Sequence, residues 1–405
     1  MDILTAKETV IKAGKELVKE GLIQRTWGNV SCRISDTQFV ITPSGRDYLS
    51  LTPDDIVTVN IADLSYEGDV KPSSEKGIHA KCYALRPEVN FVIHTHQTFA
   101  SLMGLSGMDI NTIPAEDAAV LGDCVPLAAY GLPGTGKLKK GVVQALERAP
   151  QAKSCLMLHH GALCVGTDME DAFNVANTLE KVCKERIFER FYQISGATAE
   201  NFYSIAVYIA RGFEKGWASP TVEAYDSVRA FGAVEMTPAK GGDPIMVDLA
   251  TGRPLDPETD IPDTAVLHTT IYNKRGDVNA IVHSKEEATL AASKMGRTVK
   301  PFLDDFAQIV GFTLRTAEYD PNRQLRSAKA VVRKLRFRDA VMLRDNGAIC
   351  VGADTDEANA VKLVTEKGCK AFTAAEIYGR GKECINTFES ALMRIVYKKK
   401  YSKKK

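Results

Sequence analysis

The stretch Val89-Asn90-Phe91-Val92-Ile93-His94-Thr95-His96 joins an apolar run to two histidines. The run predicts a short β-strand, bounded by polar residues at both ends. Side chains at i and i+2 of a strand point to the same face, so His94 and His96 can bind one ion together. His160, in the later string His159-His160-Gly161, would supply a third imidazole and leave one position for substrate or water. Three nitrogen ligands with an open position are typical of a catalytic metal site.

The chain repeats this pattern. Val278-Asn279-Ala280-Ile281-Val282-His283 matches the start of the stretch, and Gly347-Ala348-Ile349-Cys350-Val351-Gly352 matches Gly161-Ala162-Leu163-Cys164-Val165-Gly166. The spacing between the two motifs is nearly the same in both halves, which predicts two tandem copies of one domain. Trp217-Ala218-Ser219-Pro220 interrupts the pattern, so we expect domains at 1–220 and 221–405. At 405 residues the chain is also long for a single core.

The second copy lacks most of the predicted site. By the spacing of the repeat, Glu75 aligns with Thr264, His94 with His283, His96 with Lys285 and His160 with Asn346. One of three ligands survives, and a lysine ammonium stands where an ion would bind. We therefore expect the second copy to be structural. His79 and His268 are a matched pair in helical segments, and we interpret them as interior residues satisfied by hydrogen bonds.

Strand and helix patterns alternate within each copy. The segments 39–42, 56–60, 91–95 and 154–158 are strand candidates, and an amphipathic helix opens the first copy. This alternation predicts an α/β layered domain around a central sheet. The strand order stays open at this point.

Overall composition gives no sign of a macromolecular partner. The chain has 44% hydrophobic and 25% charged residues and a formal net charge of +1, which indicates a globular protein without a nucleic-acid partner. No apolar run is long enough for a membrane span, and the N-terminus has no signal-peptide pattern. Nine cysteines without CxxC spacing predict a reduced, cytoplasmic protein with buried thiols.

Three small polar loops allow two interpretations. They are Thr26-Trp27-Gly28-Asn29, Thr42-Pro43-Ser44-Gly45 and Lys71-Pro72-Ser73-Ser74-Glu75. Ser73 or Ser74 can cap the helix that begins near Lys76. Alternatively, the N–H groups and hydroxyls of the three loops can bind a phosphate together. The second copy lost these hydroxyls along with the metal ligands, which favours one shared site, although general drift gives the same result.

In this order, the strings Thr-Trp-Gly-Asn-Val-Ser, Thr-Pro-Ser-Gly, Pro-Ser-Ser-Glu, His-Thr-His and His-His-Gly resemble the class II aldolase/adducin family. The resemblance covers residues 1–215 and extends to the second half through the repeat. It implies two layered domains, each a central mainly antiparallel β-sheet flanked by helices. It also implies a role for ten residues: His94, His96 and His160 as metal ligands, Glu75 as the acid/base, and Gly28, Asn29, Ser44, Gly45, Ser73 and Ser74 around a substrate phosphate.

The implied activity is that of a metal-dependent aldolase. Such an enzyme cleaves a ketose phosphate by retro-aldol chemistry through a metal-stabilised enediolate, with the ion acting as a Lewis acid. Zinc suits three imidazoles, while manganese, cobalt or iron can use the same ligands. A sugar-phosphate 4-epimerase and a noncatalytic adducin-like interaction module stay as alternatives. Family members form rings of four subunits, so we expect a homodimer of this tandem chain to imitate such a ring.

Overall fold

The computed structural model describes residues 1–23, 27–214 and 218–400. Thr26 of the first predicted loop and Trp217 of the predicted boundary lie outside the described residues. The contacts divide the chain into two compact units between Ile194 and Ser195. The boundary near residue 220 therefore stays a prediction about the sequence repeat. Within the described residues, no helix is both long and apolar enough to cross a membrane.

The first unit opens with the expected amphipathic helix. Its elements in chain order are α1 (Ile3–Lys19), β1 (Asn29–Arg33), β2 (Gln38–Ile41), β3 (Val57–Asn60), α2 (Lys76–Leu85), β4 (Phe91–Thr95), α3 (Thr98–Gly104), α4 (Ala115–Leu121), β5 (Leu127–Ala128), α5 (Gly136–Arg148), β6 (Ser154–Met157), β7 (Ala162–Gly166) and α6 (Met169–Ser195). Asp2 caps α1 by accepting a hydrogen bond from the Thr5 N–H. Apolar side chains three and four residues apart, among them Val10 and Leu17, form its buried face.

The second unit repeats this order without a counterpart of α1 in its described residues. Its elements are α7 (Phe202–Arg211), β8 (Tyr225–Ala230), β9 (Ala233–Pro238), β10 (Ile245–Asp248), α8 (Ala265–Lys274), β11 (Ala280–Ser284), α9 (Glu287–Met295), α10 (Asp304–Ile309), β12 (Thr316–Ala317), α11 (Gln324–Leu335), β13 (Ala340–Leu343), β14 (Ala348–Gly352), α12 (Thr355–Ile377) and α13 (Thr387–Lys400). Helix α7 follows the first copy in sequence but packs against α9 and α12.

Each unit is built on one seven-stranded sheet. The strand order is β3-β2-β1-β4-β7-β6-β5 in the first unit and β10-β9-β8-β11-β14-β13-β12 in the second. All neighbours are antiparallel except β5 with β6 and β12 with β13, which are parallel. This confirms the predicted fold class of two layered α/β domains with mainly antiparallel sheets.

Both faces of each central strand are buried. All five residues of β4 and of β11 are buried, which explains why these strands are continuous apolar runs without polar alternation. In the first unit, α2 and α5 pack side chains such as Tyr83 and Leu138 into the core beneath the sheet. The matching core of the second unit contains Tyr272 and Val331 from α8 and α11. The apolar repeat in the sequence therefore encodes the same core twice.

An ion pair recurs in both units but differs in burial. Lys367 Nζ lies 2.8 Å from Asp305 Oδ2, and the two side chains are only 4% and 1% exposed. The matching pair in the first unit joins Lys181 Nζ to Asp117 Oδ1 at 3.0 Å, with the lysine side chain 47% exposed. Water can solvate the exposed lysine when its partner is removed, whereas the buried lysine depends on its carboxylate.

We therefore predict unequal effects of two matched substitutions. Asp305→Ala leaves the Lys367 ammonium buried without its carboxylate, and we expect the free energy of unfolding to fall by about 3–5 kcal/mol. Asp117→Ala should cost about 1 kcal/mol or less, because Lys181 reaches water. Urea denaturation of the two full-length variants compares these values. Equal losses would show that burial does not govern the pair.

Candidate active site

Two neighbouring parts of the first sheet carry the three predicted ligands. His94 lies at the end of β4, and His96 follows the last residue of that strand. His160 lies in the turn between β6 and β7. Strand β7 pairs directly with β4, and His94 faces Leu163 across that pairing. The turn therefore lies beside the end of β4, although His160 is 64 positions after His96 in the sequence.

The turn before β7 has a conformation that both copies share. His159 has a φ of +64°, in the left-handed region, and the matching Asp345 has a φ of +58°. The next position, 161, requires glycine because a Cβ there would collide with the Thr95 carbonyl oxygen. The His160 N–H donates to the Met157 carbonyl at 3.0 Å and closes the turn. The backbone of this turn thus determines where the residue at position 160 points.

The three imidazoles form one buried cluster. The ligand atoms of His94, His96 and His160 all lie within 4.8 Å of one another. The ring centroids are 4.7 to 4.9 Å apart, and His94 Nε2 is 3.1 Å from His96 Nε2. A tetrahedral ion with nitrogen ligands at about 2.0–2.1 Å needs nitrogens roughly 3.3 Å apart. The cluster could therefore bind a divalent metal ion.

The protonation of His94 suits a metal ligand. Its Nδ1–H donates to the Ala162 carbonyl at 2.9 Å, so the lone pair of Nε2 faces the other two histidines. Burial lowers the pKa of His94 well below the usual range, which favours the neutral imidazole that metals bind. The donor set and its orientation fit the predicted ion.

Glu75 lies against this cluster at the start of α2. Its Oε2 is 3.3 Å from His94 Nε2, and its Oε1 is 3.2 Å from His160 Nε2. The Asn29 amide donates to Oε2 at 3.1 Å. Burial raises the pKa of Glu75, but hydrogen bonds from His160 and the Asn29 amide oppose burial, and the pKa lies well below the usual range. Glu75 is thus an ionised carboxylate within reach of anything bound at the histidines.

The predicted phosphate loops lie side by side. Pro43 and Pro72 form a β-bridge between two of them, and the Ser44 N–H donates to the Lys71 carbonyl at 2.9 Å. Ser73 is buried, and its Oγ accepts a hydrogen bond from the Glu75 N–H at 3.2 Å. Glu75, rather than a serine, is the N-cap residue of α2, and its side chain makes no capping hydrogen bond.

The other members of the predicted phosphate set differ in accessibility. Ser74 is exposed, and Ser44, Gly45 and Gly28 are half-buried. Gly28 has a φ of +119°, and a Cβ there would come within 2.6 Å of the His94 carbonyl oxygen. The side chain of Asn29 is buried and faces Glu75. Phosphate binding by this set stays a prediction.

A small cavity adjoins Glu75. Its volume is about 180 Å³, and Ser74, Glu75, Gly134 and Lys139 are among its lining residues. A larger cavity of about 880 Å³ lies elsewhere in the first unit, between α1, the β1–β2 turn and the start of α6. None of the predicted site residues lines the larger cavity. The larger of these two cavities therefore does not coincide with the predicted site residues.

Proteins of known function are similar to this chain over about one copy. A 5-methylthioribulose-1-phosphate/5-deoxyribulose-1-phosphate aldolase from Escherichia coli is 36% identical over 180 residues, which are 44% of this chain and 82% of the relative. Its counterpart from Rhodospirillum rubrum is 31% identical over 182 residues, 45% of this chain and 80% of the relative. An L-fuculose phosphate aldolase from Escherichia coli is 34% identical over 171 residues, 42% and 77% of the two chains.

The family profile of the class II aldolase and adducin N-terminal domain matches residues 8–187 and 233–373. The chain belongs to this family. The two matched segments confirm the tandem arrangement predicted from the repeat. A solved L-fuculose 1-phosphate aldolase, 29% identical, aligns with 49% of this chain and 91% of its own length at a TM-score of 0.43.

In the second copy, the residues that match the histidine cluster form a different set of hydrogen bonds. The His283 Nε2–H donates to the Asn346 carbonyl at 2.7 Å, so this nitrogen does not offer a lone pair. Lys285 Nζ donates to the Val222 carbonyl at 2.5 Å. The Asn346 amide accepts from the Val222 N–H and donates to the Pro220 carbonyl, both at 2.9 Å. The segment before β8 therefore satisfies the groups that replaced the ligands.

Sequence reasoning missed two tyrosine side chains near the histidine cluster of the first copy. Tyr130 packs edge-on against His159 at 5.3 Å between ring centroids, beside the turn that carries His160. The Tyr48 hydroxyl donates to the Gly28 carbonyl at 2.8 Å and fixes that loop. Neither tyrosine lies in a motif, so only the fold indicates them.

We predict one divalent ion per chain, bound by the first copy alone. His160→Ala removes one of three nitrogen ligands, so we expect the ion to be lost on gel filtration. His283→Ala is the matched control and should keep the ion, because His283 donates to a carbonyl. Elemental analysis of the purified variants measures the content. Equal retention by both variants would contradict the assignment of the ligands.

Proposed function

We propose that this protein is a metal-dependent aldolase that cleaves a ketose 1-phosphate by a retro-aldol reaction. One observation supports the proposal above the others. Glu75 lies within 3.3 Å of nitrogen atoms of two buried histidines, and a third histidine completes the cluster. An acid/base carboxylate beside three imidazoles is the combination that such a cleavage requires. The aldolase relatives are consistent with it.

His94, His96 and His160 would hold the ion, with zinc as the first candidate. When bound, the ion supplies a Lewis acid for the carbonyl and hydroxyl oxygens of the ketose. Glu75 moves the proton that the reaction requires. The hydroxyl on the carbon that becomes the aldehyde gives up its proton, the carbon–carbon bond breaks, and the other carbon keeps the electron pair and takes up a proton. A carboxyl oxygen of Glu75 would carry that proton to it. Burial of Glu75 and its neighbours keeps bulk water away from this exchange.

The polar loops would hold the phosphate of the substrate. The loops with Ser44 and Ser73 are joined by the Pro43–Pro72 bridge, and both precede or flank the start of α2. N–H groups at a helix start attract an anion. Because Glu75 directly follows the Ser73 loop in the chain, a phosphate bound there would place the neighbouring carbons of a small ketose near Glu75.

The substrate class is tested by offering several ketose phosphates to the metal-loaded protein. The named activities of the relatives suggest 5-methylthioribulose 1-phosphate, 5-deoxyribulose 1-phosphate and fuculose 1-phosphate. Release of dihydroxyacetone phosphate, detected with a coupled dehydrogenase, is the expected result. Isomerised sugar phosphate without this product would favour a 4-epimerase. Absence of both metal and turnover would favour an adducin-like interaction module.

Glu75→Gln should lower kcat by about 10²–10⁴-fold, because the amide cannot exchange the proton. The shape of the side chain is kept, so the ion content should stay at the wild-type value. Steady-state kinetics and elemental analysis of one preparation measure both quantities. Unchanged kcat in a metal-loaded Glu75→Gln protein would exclude Glu75 as the acid/base.

We also propose that two tandem chains associate to imitate a ring of four domains. A closed two-fold dimer is the commonest assembly of identical chains. Multi-angle light scattering should then give twice the chain mass of 44.2 kDa. A stable monomer with full activity would contradict this assembly.

A further inference from the structure

A chain of hydrogen bonds leads from the interior of the first unit to Glu75. Ser31 Oγ lies 2.6 Å from both Tyr83 Oη and His79 Nδ1. His79 Nε2 contacts Asn29 Oδ1, and Asn29 Nδ2 lies 3.1 Å from Glu75 Oε2. All five side chains are at most 7% exposed. The carboxylate is therefore held from the protein interior as well as by the histidines.

The residues of this hydrogen-bond chain come alternately from α2 and β1. Glu75, His79 and Tyr83 are four residues apart at the start of and along α2, so they share one face of the helix. Asn29 and Ser31 are two residues apart on β1 and share one face of the strand. Each strand residue bridges two helix residues, and the position of the carboxylate is thus fixed by the packing of α2 on the sheet.

The chemistry of the groups gives the chain a single direction. The Asn29 amide nitrogen donates to Glu75 Oε2, so the Asn29 amide oxygen faces His79. His79 then donates from Nε2 and accepts at Nδ1 from the Ser31 hydroxyl. Burial lowers the pKa of His79 to about 4, which keeps the ring neutral with one N–H. Tyr83 completes the chain by donating to Ser31.

The second copy contains only the serine, histidine and tyrosine part of this hydrogen-bond chain. Ser227 Oγ lies 2.8 Å from His268 Nδ1 and 2.9 Å from Tyr272 Oη, as in the first copy. Tyr225 and Thr264 stand where the first copy has Asn29 and Glu75. Among the residues that the structure describes, His268 Nε2 has no hydrogen-bond partner. The serine, histidine and tyrosine thus belong to the fold, whereas the extension through asparagine occurs only beside the carboxylate.

We propose that Asn29 and His79 are positioning residues that hold the Glu75 carboxylate toward His94 and His160. This inference rests on the proposed function, in which Glu75 carries the proton. A free glutamate side chain has several rotamers, and two anchored hydrogen bonds select one of them. Neighbours of this kind, one step removed from the reacting atoms, typically change activity by about 10–100-fold.

The test compares His79→Leu, His79→Gln and the matched His268→Leu. We expect kcat of metal-loaded His79→Leu to fall by about 10–100-fold, with KM and ion content near the wild-type values. Glutamine keeps a side-chain N–H for Asn29, so His79→Gln should recover most of the loss. His268→Leu removes the same Ser–His–Tyr contact in the other unit and should leave kcat unchanged. Equal kcat in His79→Leu and the wild type would overturn the inference.

A second variant and a structural measurement keep the test independent of substrate choice. Asn29→Ala leaves the Ser31–His79–Tyr83 contacts intact, so it serves if His79→Leu does not fold. In crystal structures of both metal-loaded variants, we expect the Glu75 carboxylate to leave the position that it holds in the wild type. An unmoved carboxylate in both variants would overturn the inference. If the wild type cleaves none of the ketose phosphates, the proposed function fails, and the carboxylate position still decides this inference.

Discussion

The pairing of β4 with β1 on one side and β7 on the other is the constraint on which the site depends. His94 faces Asn29 across one pairing and Leu163 across the other. These two registers bring the residue that contacts Glu75 and the turn that carries His160 to the same strand end. A shift of one residue would turn the imidazole of His94 to the opposite face of the sheet. Because Phe91, Val92 and Ile93 are buried, such a shift would also disturb the core.

The sequence predicted the features of the histidine cluster that depend on short spacing in the chain. His94 and His96 are two residues apart, and the repeat isolates the Gly161–Gly166 motif, so their roles could be inferred before any coordinates. The capping of α2 was harder to predict. Ser73 contacts the Glu75 N–H, but Glu75 itself occupies the N-cap position. Local capping rules favour a serine here, whereas the N-cap residue is Glu75, three residues after the bridge between Pro43 and Pro72.

The side-chain role of Asn29 could not be predicted for a different reason. Its amide contacts residues 46 and 50 positions away, and that contact exists only once α2 packs against β1. The family resemblance implied that Asn29 contacts a substrate phosphate. Nothing near Asn29 in the sequence indicated a carboxylate partner. Strand order could not be predicted for the same reason, because it depends on pairing between residues far apart in the sequence. Short apolar runs specify that strands form, but their neighbours are selected by the packing of the whole unit.

Comparison of the two copies distinguishes residues that support the fold from the predicted site residues. Glu180 accepts hydrogen bonds from the N–H groups at the start of α3, and Glu366 does the same at the start of α9. The left-handed turn before β7 also recurs before β14. By contrast, Glu75, His96 and His160 have no counterpart of the same type. The same backbone can therefore be maintained after the reactive side chains are lost.

The contacts around Val222 have a consequence for any attempt to reactivate the second copy. Lys285 and Asn346 now bind the chain that leads into β8, so both replacements have become supports of that connection. Exchanging them for histidines would remove those hydrogen bonds. Placing histidines at these two positions of the second copy would therefore also disturb the segment that precedes β8.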